Sequence, residues 1–503
     1  MTAIKIENLT FGYDRMGSLL FADAQLVVDL RWKLGLVGRN GRGKTTFLKL
    51  LQGELPFQGR ITGQQDFDYF PQKVADPEEI TFYALSEIRE VEQWQLEREL
   101  NLLSCDPEVL WRPFATLSGG EQTKALLALL FTGEGGFPLI DEPTNHLDIT
   151  GRKQVAEYLR RQLSGYILVS HDREFLDEAT DHTLAIEKSR LVLYQGNFST
   201  YEEEKARQDA FEEAQNRKLK KEISRLQQTA VEKAEWSRNR EGDKHNPSRG
   251  FIDTEDRRKS PGAIGADAAR MMKRSKAILQ RVESQITEKA GLLKNIEQVD
   301  QLKMCYEPGH QRRLLQVEEL SLGYPGNRDL FSGISFELLQ GECLAITGAN
   351  GSGKSSLLQA VLGEFPGEIR QGSLLLPQGI VISRVRQNYE DNQGTLAEFA
   401  ELEGLDYPQF LNNLRKLGME RNIFENDIRQ MSMGQQKKVE LAKSLSQKAQ
   451  LFIWDEPLNY LDVFNQEQIR QLLLAVKPAV ILIEHDHHFV TTVADKIIQL
   501  GKP

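Results

Sequence analysis

The stretch GRNGRGKT (Gly38–Thr45) follows the apolar run KLGLV (Lys33–Val37), and the same order returns as GANGSGKS (Gly348–Ser355) after CLAIT (Cys343–Thr347). A Gly-rich turn of the pattern GxxxxGK[ST], placed between a buried strand and a helix, points successive backbone N–H groups at phosphate oxygens. Strand, Gly-rich turn and helix in this order therefore predict two phosphate-binding P-loops, each in an α/β domain with a parallel sheet.

Each P-loop predicts the same chemistry. Lys44 or Lys354 adds positive charge at the β- and γ-phosphate oxygens, and Thr45 or Ser355 ligates Mg²⁺. We therefore predict that the chain binds ATP and Mg²⁺ at two places. The predicted nucleotide-binding residues are Gly38, Arg39, Asn40, Gly41, Arg42, Gly43, Lys44, Thr45 and Thr46 in the first P-loop, and Gly348, Ala349, Asn350, Gly351, Ser352, Gly353, Lys354, Ser355 and Ser356 in the second.

A second pair of motifs lies downstream of the P-loops, PLIDEPTNHLD (Pro138–Asp148) and FIWDEPLNYLD (Phe452–Asp462). Asp141 and Asp455 end the apolar, strand-like part of each motif. A carboxylate at that position can hold Mg²⁺ through water. We therefore predict that both aspartates belong to the metal site of their own P-loop.

The predicted catalytic residues are Glu142, Glu456, His171 and His485. Each glutamate directly follows a predicted metal-binding aspartate, where it can position or deprotonate the attacking water. Each histidine ends a strand-like run, ILVS or ILIE, 30 residues after the aspartate of its copy, and could contact the γ-phosphate. A structural role is the alternative for a single strand-end histidine, but recurrence at the same spacing favours a catalytic role.

The chain contains an internal duplication. The P-loop lysines are 310 residues apart, and the aspartates and the histidines are each 314 residues apart, so the offset is steady. Such regularity indicates two homologous domains. IKIENL (Ile4–Leu9) and LQVEEL (Leu315–Leu320) alternate apolar and polar residues, which adds a small antiparallel piece to each domain. We predict a first domain at 1–200, a linker at 201–301 and a second domain at 302–503.

Composition excludes several classes of protein. The 503 residues are 40% hydrophobic and 27% charged, as in an ordinary soluble protein of several domains. The sequence contains neither an apolar run of the roughly 20 residues that a membrane span needs nor a signal peptide. Three distant cysteines without a CxxC pattern argue against a disulfide framework and a cysteine-based zinc site. These features predict a cytoplasmic protein.

The linker has no counterpart in the second copy and reads as two helices around a breaker. Apolar residues recur at helical spacing before and after Glu241–Gly265, a segment rich in Gly, Pro, Asp and Ser. This pattern predicts an antiparallel helical hairpin with its apex at about 241–265. The two predicted seams are Leu219, Ile223, Leu226, Ala230 and Ala234, followed by Met271, Ser275, Ile278, Val282 and Ile286.

The hairpin is also basic. Residues Arg217–Arg281 contain 18 Lys and Arg against 9 Asp and Glu, in a chain whose net charge is −10. Such a charge run favours contact with RNA phosphates, the alternative being a solvated helical face. The apex adds apolar side chains to the cations, or it is merely a connecting loop. The candidate contact residues at the apex are Lys244, His245, Arg249, Phe251, Ile252, Arg257 and Arg258.

LSGGEQ (Leu117–Gln122) precedes the helical run TKALLALLF, and MSMGQQ (Met431–Gln436) occupies the same place in the second copy. Together with the P-loops and DEP motifs, these segments resemble the signature of ATP-binding cassettes. The resemblance implies that each signature closes on ATP held by the other cassette's P-loop. Met433 replaces a signature glycine, which puts fast hydrolysis at the site of Lys44 in doubt. The signature residues implied to bind nucleotide are Ser118, Gly119, Gly120, Glu121, Ser432, Gly434 and Gln435.

Two further pairs of residues follow from the same resemblance. Gln72 and Gln387 match the family's Q-loop, which implies contact with Mg²⁺ and coupling to domain motion. Tyr13 and Tyr324 match the aromatic residue that stacks on adenine, and for both a core aromatic at a strand end is a nearly equal alternative. The predicted metal-binding residues are thus Thr45, Gln72, Asp141, Ser355, Gln387 and Asp455.

Two cassettes in one chain, joined by a helical hairpin, resemble the ABC-F family. Four segments are similar to its Lsa-type antibiotic-resistance branch, namely WRPFATLSGGEQ, AEWSRNREGDK, NNLRKLGMERNIF and FIWDEPLNYLDVFNQEQ. The resemblance implies an ATP hydrolase that binds the exit-tRNA site of the 70S ribosome, contacts rRNA and tRNA, and displaces lincosamides, streptogramin A compounds and pleuromutilins. It also implies a monomer whose two cassettes pair intramolecularly, without a membrane partner.

Other functions share parts of this pattern. A housekeeping ABC-F factor that regulates translation has every motif, so only the linker could distinguish it. The ATPase subunit of a transporter would need membrane partners and leaves the basic hairpin unexplained. A DNA-repair cassette protein usually has longer coiled coils and zinc-binding cysteines. The spacing from the Q-loop to the signature is 45 residues in the first cassette and 44 in the second, which leaves no room for an arm that only the first cassette has.

Overall fold

The chain divides into two compact units, Met1–Tyr201 with Val299–Pro503, and Glu202–Gln298. The structure is a computed structural model that describes residues 3–13, 19–63, 66–133, 135–145, 147–187, 189–242, 301–326, 328–349 and 351–501, with the backbone alone from 229 to 242. The first unit contains both copies of the repeat, so contacts between the copies belong to one compact body.

The first cassette alternates strands and helices around its P-loop. Its elements are β1 (Ala3–Phe11), β2 (Phe21–Asp29), β3 (Lys33–Val37), α1 (Lys44–Leu51), β4 (Gln58–Thr62), β5 (Phe67–Phe70), α2 (Thr81–Ile88), α3 (Gln93–Leu102), α4 (Gly119–Leu130), β6 (Phe137–Asp141), α5 (Ile149–Arg161), β7 (Tyr166–Val169), α6 (Arg173–Ala179), β8 (His182–Glu187) and β9 (Arg190–Gln195). The helix α7 (Phe198–Gly242) leaves this cassette.

The second cassette repeats the same order. Its elements are β10 (Arg313–Gly323), β11 (Asp329–Leu339), β12 (Cys343–Gly348), α8 (Lys354–Leu362), β13 (Glu368–Leu375), β14 (Ile382–Val385), α9 (Leu396–Leu402), α10 (Tyr407–Lys416), α11 (Met433–Ser446), β15 (Leu451–Asp455), α12 (Val463–Val476), β16 (Val480–Ile483), α13 (His487–Val493) and β17 (Lys496–Leu500). The two cassettes are therefore equivalent element by element through β8 and β17.

Each cassette contains a mainly parallel sheet and a three-stranded antiparallel sheet. The parallel sheets have the orders β5-β6-β7-β3-β8-β9, with β9 antiparallel to β8, and β14-β15-β16-β12-β17. The antiparallel sheets are β2-β1-β4 and β11-β10-β13. The P-loop strand lies inside each parallel sheet. In the first cassette β3 lies between β7 and β8, and in the second β12 lies between β16 and β17. These topologies confirm the predicted α/β fold and its duplication.

The turn into each P-loop helix depends on glycine. Gly43 and Gly353 precede α1 and α8 with φ of 94° and 89°, in the left-handed region that side chains disfavour. A Cβ at Gly353 would also lie 3.0 Å from the Cβ of Leu330. The helix N-terminus is thereby brought to the carboxyl end of the sheet, where ligands of α/β folds bind.

Apolar clusters cover both faces of each parallel sheet. Leu34, Leu36 and Phe47 belong to one cluster of the first cassette, and Ile346 and Ile453 to its equivalent in the second. The opposite faces pack against the helices that carry the signatures. Burial on both faces explains why the P-loop strands read as continuous apolar runs.

The second unit was predicted to be a helical hairpin. The helix α7 (Phe198–Gly242) is continuous across the first predicted seam. Leu219, Ile223 and Leu226 of the predicted seam are half-buried. The side chains of Ala230 and Ala234, the seam from Met271 to Ile286 and the apex all lie outside the described residues. None of the described helices is both long and apolar enough to cross a membrane.

Candidate functional site: two nucleotide cavities between the cassettes

The first nucleotide site combines the P-loop of the first cassette with the signature of the second. Its cavity of about 350 Å³ is lined from both cassettes. Among its lining residues are Asn40, Gly41, Glu142, Asn145, His171, Gly418, Met419, Ser432, Gly434, Gln435, Lys438 and Tyr460. The predicted pairing of one P-loop with the other cassette's signature is the arrangement seen here.

The second nucleotide site is the reciprocal combination. Its cavity of about 480 Å³ contains most of the second P-loop, together with Gly119 from the first signature. The lining residues include Gly119, Asn145, Leu147, Arg152, Gly351, Gly353, Lys354, Ser355, Ser356, Gln387, Glu456, Asn459, Tyr460 and His485. Both sites therefore need the two cassettes to be in contact.

The P-loop lysines are buried and hydrogen-bonded to their own loops. Lys44 Nζ donates to the carbonyl O of Gly38 at 2.8 Å, and Lys354 Nζ donates to the carbonyl O of Gly348 at 2.8 Å and of Ala349 at 3.0 Å. Burial lowers the pKa of both lysines, and nearby carboxylates oppose that shift. The loops thus hold each cation where phosphate oxygens would meet it.

The hydroxyl and aspartate groups of the predicted metal sites meet in both cassettes. Thr45 Oγ1 donates to Asp141 Oδ2 at 2.9 Å, and Ser355 Oγ donates to Asp455 Oδ2 at 3.3 Å. Gln72 Oε1 and Asp455 Oδ1 are buried without a hydrogen-bond partner. Among the described residues, no group of three or more His, Cys, Asp or Glu side chains could hold a metal. Hydroxyl, amide and single carboxylate oxygens do suit Mg²⁺, which keeps water and phosphate oxygens as its other ligands.

The predicted catalytic glutamates contact the predicted histidines. His171 Nε2 lies 3.2 Å from Glu142 Oε1, and His485 Nε2 lies 3.5 Å from Glu456 Oε1. Gln387 Nε2 also donates to Glu456 Oε2 at 3.2 Å. Both glutamates have left-handed backbone, with φ of 53° and 47°. Such strain in non-glycine residues persists only where the surroundings impose it, and it concentrates at active sites.

The protonation of the two glutamates differs. Burial, reinforced by the charge of Asp141, raises the pKa of Glu142 to about 8. Burial also lowers the pKa of His171 well below its usual value, so this 3.2 Å contact joins two neutral groups and is not an ion pair. Burial acts to raise the pKa of Glu456, but the hydrogen bond and charge of His485 bring it below the ordinary value. Glu456 is therefore the ionised carboxylate of the two near neutral pH.

Both signatures begin a helix through a capping box. Ser118 Oγ accepts from the N–H of Glu121 at 3.3 Å, and Glu121 Oε2 accepts from the N–H of Ser118 at 2.7 Å. Ser432 and Gln435 make the same reciprocal pair at 3.4 and 2.9 Å. The N-termini of α4 and α11 thus have defined geometry, and a helix N-terminus attracts phosphate.

The departure at Met433 leaves the cap intact. The Met433 side chain is 47% exposed and does not line the cavity of the first nucleotide site. The close backbone approach is at Gly434, where a Cβ would lie 3.1 Å from the carbonyl O of Tyr460. The equivalent residue of Met433 is Gly119, which lines the second nucleotide site directly, while Gly120 is the second residue of α4.

The predicted adenine-stacking tyrosines differ in their surroundings. The hydroxyl groups of Tyr13 and Thr46 are 3.2 Å apart, and the Tyr13 ring is 41% exposed beside the first P-loop. Tyr324 packs against Phe365 with ring centroids 5.3 Å apart. Tyr13 also has an aromatic neighbour, Phe11, with ring centroids 5.1 Å apart, so an aromatic contact does not distinguish the two tyrosines.

Sequence reasoning missed a clamp between the cassettes. Asp462 Oδ2 accepts from the backbone N–H of Asn40 at 2.6 Å, and Asn40 Nδ2 donates to the carbonyl O of Tyr460 at 3.0 Å. Asp462 Oδ1 also caps α12 by accepting from Asn465 N at 2.8 Å. Asn459 Nδ2 donates to Glu456 Oε2, the predicted catalytic carboxylate of the same cassette, at 2.7 Å. The recurring NHLD and NYLD after each DEP motif was the available signal.

Two other predicted P-loop residues, Arg39 and Ser352, have distinct surroundings. Arg39 is stacked over the ring of Phe464 from the other cassette, 5.3 Å from its centroid. Ser352 is buried with no partner for its Oγ. Asn350 and all seven apex residues, Lys244, His245, Arg249, Phe251, Ile252, Arg257 and Arg258, lie outside the described residues.

Two P-loops, each facing a capped helix of the opposite cassette, define a tandem ATP-binding-cassette protein. The sequence profile of the ABC transporter family matches residues 21–145 and 331–459. Over 463 residues the chain is 30% identical to the ribosome protection protein VmlR of Bacillus subtilis, covering 91% of this chain and 79% of that protein. It is 28% identical to the energy-dependent translational throttle protein EttA of Mycobacterium tuberculosis, covering 80% and 66%.

The fold of the whole chain also occurs in solved structures. A complex of an archaeal ribosomal stalk protein with the archaeal ribosome recycling factor aABCE1 matches with a TM-score of 0.63, 20% identity, and coverage of 99% of this chain and 88% of that one. The chain belongs to the ABC-F family of ATP-binding-cassette proteins and is an ATP-hydrolysing ATPase.

Proposed function

We propose that this ATPase binds the bacterial 70S ribosome at the exit-tRNA site and protects it against antibiotics of the peptidyl-transferase centre. The antibiotic classes are lincosamides, streptogramin A compounds and pleuromutilins. The observation that carries the proposal is the 30% identity to the ribosome protection protein VmlR across 91% of the chain. The basic linker, with 18 cations in Arg217–Arg281, offers a surface for rRNA and tRNA phosphates.

ATP controls the contact between the cassettes in this proposal. Each nucleotide cavity is lined by both cassettes, so ATP contributes contacts to both sides at once. Phosphate charge is met by the P-loop lysine and by the N-terminus of the opposite signature helix. ATP binding therefore closes the cassettes on the ribosome, and hydrolysis opens them and releases the protein. The protein acts as a cytoplasmic monomer with an intramolecular cassette pair.

The proposed catalytic roles follow the geometry of each site. Glu142 and Glu456 position or deprotonate the attacking water, and His171 and His485 orient those carboxylates and contact the γ-phosphate. Mg²⁺, when bound with ATP, neutralises phosphate charge. Its protein ligands are Thr45, Gln72 and Asp141 in one site, and Ser355, Gln387 and Asp455 in the other.

Susceptibility measurements test the protective function. We expect expression in a sensitive bacterium to raise the inhibitory concentrations of lincomycin and tiamulin, with erythromycin measured alongside and with Glu142→Gln/Glu456→Gln as the inactive control. Unchanged inhibitory concentrations, with the protein expressed and sedimenting with ribosomes, would favour the second candidate function. That candidate is a housekeeping factor that regulates translation, which the similarity to EttA supports.

The apex of the linker is the proposed protective element. Its cations can anchor rRNA, and Phe251 or Ile252 can stack on or press against a base. Replacing Lys244–Lys259 with a short Gly/Ser turn should leave ATP hydrolysis and ribosome sedimentation largely intact and abolish antibiotic protection. Full protection by that variant would make the apex a connecting loop and assign protection to tRNA displacement by the cassettes and helices.

A further inference from the structure

The signature helix of the second cassette buries charges that the first cassette lacks. On α11, Lys437, Glu440 and Lys443 are 1%, 0% and 5% exposed. The equivalent positions of α4, 314 residues earlier, are Thr123, Leu126 and Leu129. Because α4 forms the same helix in the same place with uncharged residues, the fold does not require the three charges.

The buried carboxylate of Glu440 is the centre of a network that holds the loop after β14. It accepts from Arg386 Nε at 2.9 Å, Asn392 Nδ2 at 2.9 Å and Lys443 Nζ at 3.0 Å. Arg386 also donates to Asn392 Oδ1 at 2.7 Å and to Asp391 Oδ2 at 2.7 Å. Burial acts to raise the pKa of Glu440, but these donors and cations lower it to about 2. Both ends of the 386–392 loop are thus tied to α11.

Lys437 extends the network toward the second nucleotide site. Its Nζ donates to the carbonyl O of Arg386 at 3.3 Å, lies 3.5 Å from the carbonyl O of Asp455, and is 5.4 Å from the ring centre of Tyr389. The side chain is only 1% exposed, and burying an ammonium group costs desolvation free energy. A role in positioning would explain why this cost is tolerated.

The same helix reaches both nucleotide sites. Ser432 caps α11 in the first nucleotide site. Lys437 follows five residues later, about 7–8 Å along the helix axis. The loop that it contacts contains Gln387, whose Nε2 donates to Glu456 in the second nucleotide site at 3.2 Å. A shift of this loop would be transmitted to the signature through a single rigid helix.

We propose that Arg386, Lys437 and Glu440 are positioning residues that tie the loop of Gln387 to α11 and thereby couple the second nucleotide site to the first. The coupling runs from Gln387 through the buried network to the capped N-terminus at Ser432. The first cassette has Pro71 and Leu126 in place of Arg386 and Glu440, so only the second cassette has this network. The proposal rests on the catalytic roles proposed for Glu142 and Glu456 but not on ribosome binding.

Lys437→Met is the variant that separates positioning from stability. Methionine keeps about the same side-chain length and apolar contacts and removes a charge that is 1% exposed, so the protein should fold, which its melting temperature checks. In a Glu142→Gln background, where the second site alone turns over, we expect kcat to fall about tenfold with the KM for ATP changed less than about twofold. In a Glu456→Gln background we expect a fall of about threefold at the first site.

Arg384→Gln is the matched control. Arg384 lies on β14, two residues before Arg386, and pairs with Glu364 at 2.8 Å with both side chains partly exposed. Removing this cation should leave both kcat values within about twofold, because exposed ion pairs contribute little. A second test variant, Lys437→Thr/Glu440→Leu/Lys443→Leu, gives α11 the residues with which α4 folds, and should show the same pattern.

The outcomes separate the proposal from its alternatives. Unchanged kcat at both sites in folded Lys437→Met protein would overturn it, and so would losses that merely follow a lower melting temperature. The kcat values of Lys437→Met and Arg384→Gln are also measured without ribosomes in chains that keep both Glu142 and Glu456, where both sites turn over. A fall in kcat there, absent from Arg384→Gln, supports the network even if the glutamate assignments fail, and no fall there overturns it.

Discussion

The two nucleotide sites use the same motifs but differ in the chemistry of their carboxylates. At the first site, burial and Asp141 raise the pKa of Glu142 to about 8, and its partner is the neutral His171. At the second site, His485 holds the pKa of Glu456 below its ordinary value, and Gln387 donates to the same carboxylate. Duplicated motifs therefore do not guarantee equal protonation, because the surrounding charges and burial set the pKa of each carboxylate.

The signatures differ as well. The second site is lined by Gly119, which has no side chain. The equivalent residue Met433 does not line the cavity of the first site, and Gly434 there lies close to Tyr460. We infer that the second site turns over faster than the first. Four measurements test how far the two sites and their cassettes differ.

Removing both glutamates should have the largest effect. Glu142→Gln/Glu456→Gln keeps the shape of both sites and eliminates both bases, so turnover should fall by about two or more powers of ten while ATP still binds. Steady-state hydrolysis and binding of a fluorescent ATP analogue provide the two readouts. Turnover that persists at the level of the unmodified chain would remove the glutamates from catalysis at both sites.

The single variants should separate the sites. Because Glu456 is the ionised carboxylate and faces the intact signature, Glu456→Gln should lower kcat about tenfold, and Glu142→Gln less than about threefold. The two proteins are matched, since each changes one glutamate of the same motif. Equal losses in kcat would show that Met433 is tolerated and that both sites turn over alike.

Exchanging the signature residues should have a smaller effect. Met433→Gly in a Glu456→Gln background should raise first-site turnover about two- to threefold if the methionine limits it. Gly119→Met in a Glu142→Gln background is the reciprocal change and should lower second-site turnover by a similar factor. A response from neither variant would assign the asymmetry to the carboxylates and not to the signatures.

The smallest of the four effects should be a change in acid stability when the buried charges of the second cassette are removed. The folded-state pKa of Glu440, about 2, is below its unfolded value, so its contribution is present above pH 4.5 and is lost as the pH falls toward 2. The variant Lys437→Thr/Glu440→Leu/Lys443→Leu should therefore lose fewer degrees of melting temperature between pH 5 and pH 3 than the unmodified chain. Parallel melting curves across that range would mean that Glu440 is not held as a carboxylate in the native state.

The fold was predictable because its decisive signals are local. GxxxxGK[ST] specifies a strand, a left-handed turn at Gly43 or Gly353 and a helix, and each step depends on neighbouring residues. The capping boxes that begin at Ser118 and Ser432 are also contained within four residues. Repetition at a steady offset then identified the duplication without any information on tertiary contacts.

The contacts between distant segments were not predictable. Asp462 accepts a hydrogen bond from the backbone N–H of Asn40, which lies 422 residues earlier in the chain. Nothing in the motif NYLD indicates which backbone group would be the donor. The network of Glu440 with Arg386 and Asn392 spans about fifty residues and depends on burial, which turns exposed-looking charges into a buried cluster. The opposite pKa shifts of Glu142 and Glu456 arise in the same way, from neighbours that the motifs do not specify.

Sedimentation with 70S ribosomes tests most directly whether ATP closure places this protein on the ribosome. Glu142→Gln/Glu456→Gln protein, incubated with purified ribosomes and ATP, should co-sediment nearly completely. The same protein with ADP, and the unmodified chain after its ATP is hydrolysed, should remain in the supernatant. Binding that is absent with ATP, or equal with ATP and ADP, would contradict the account.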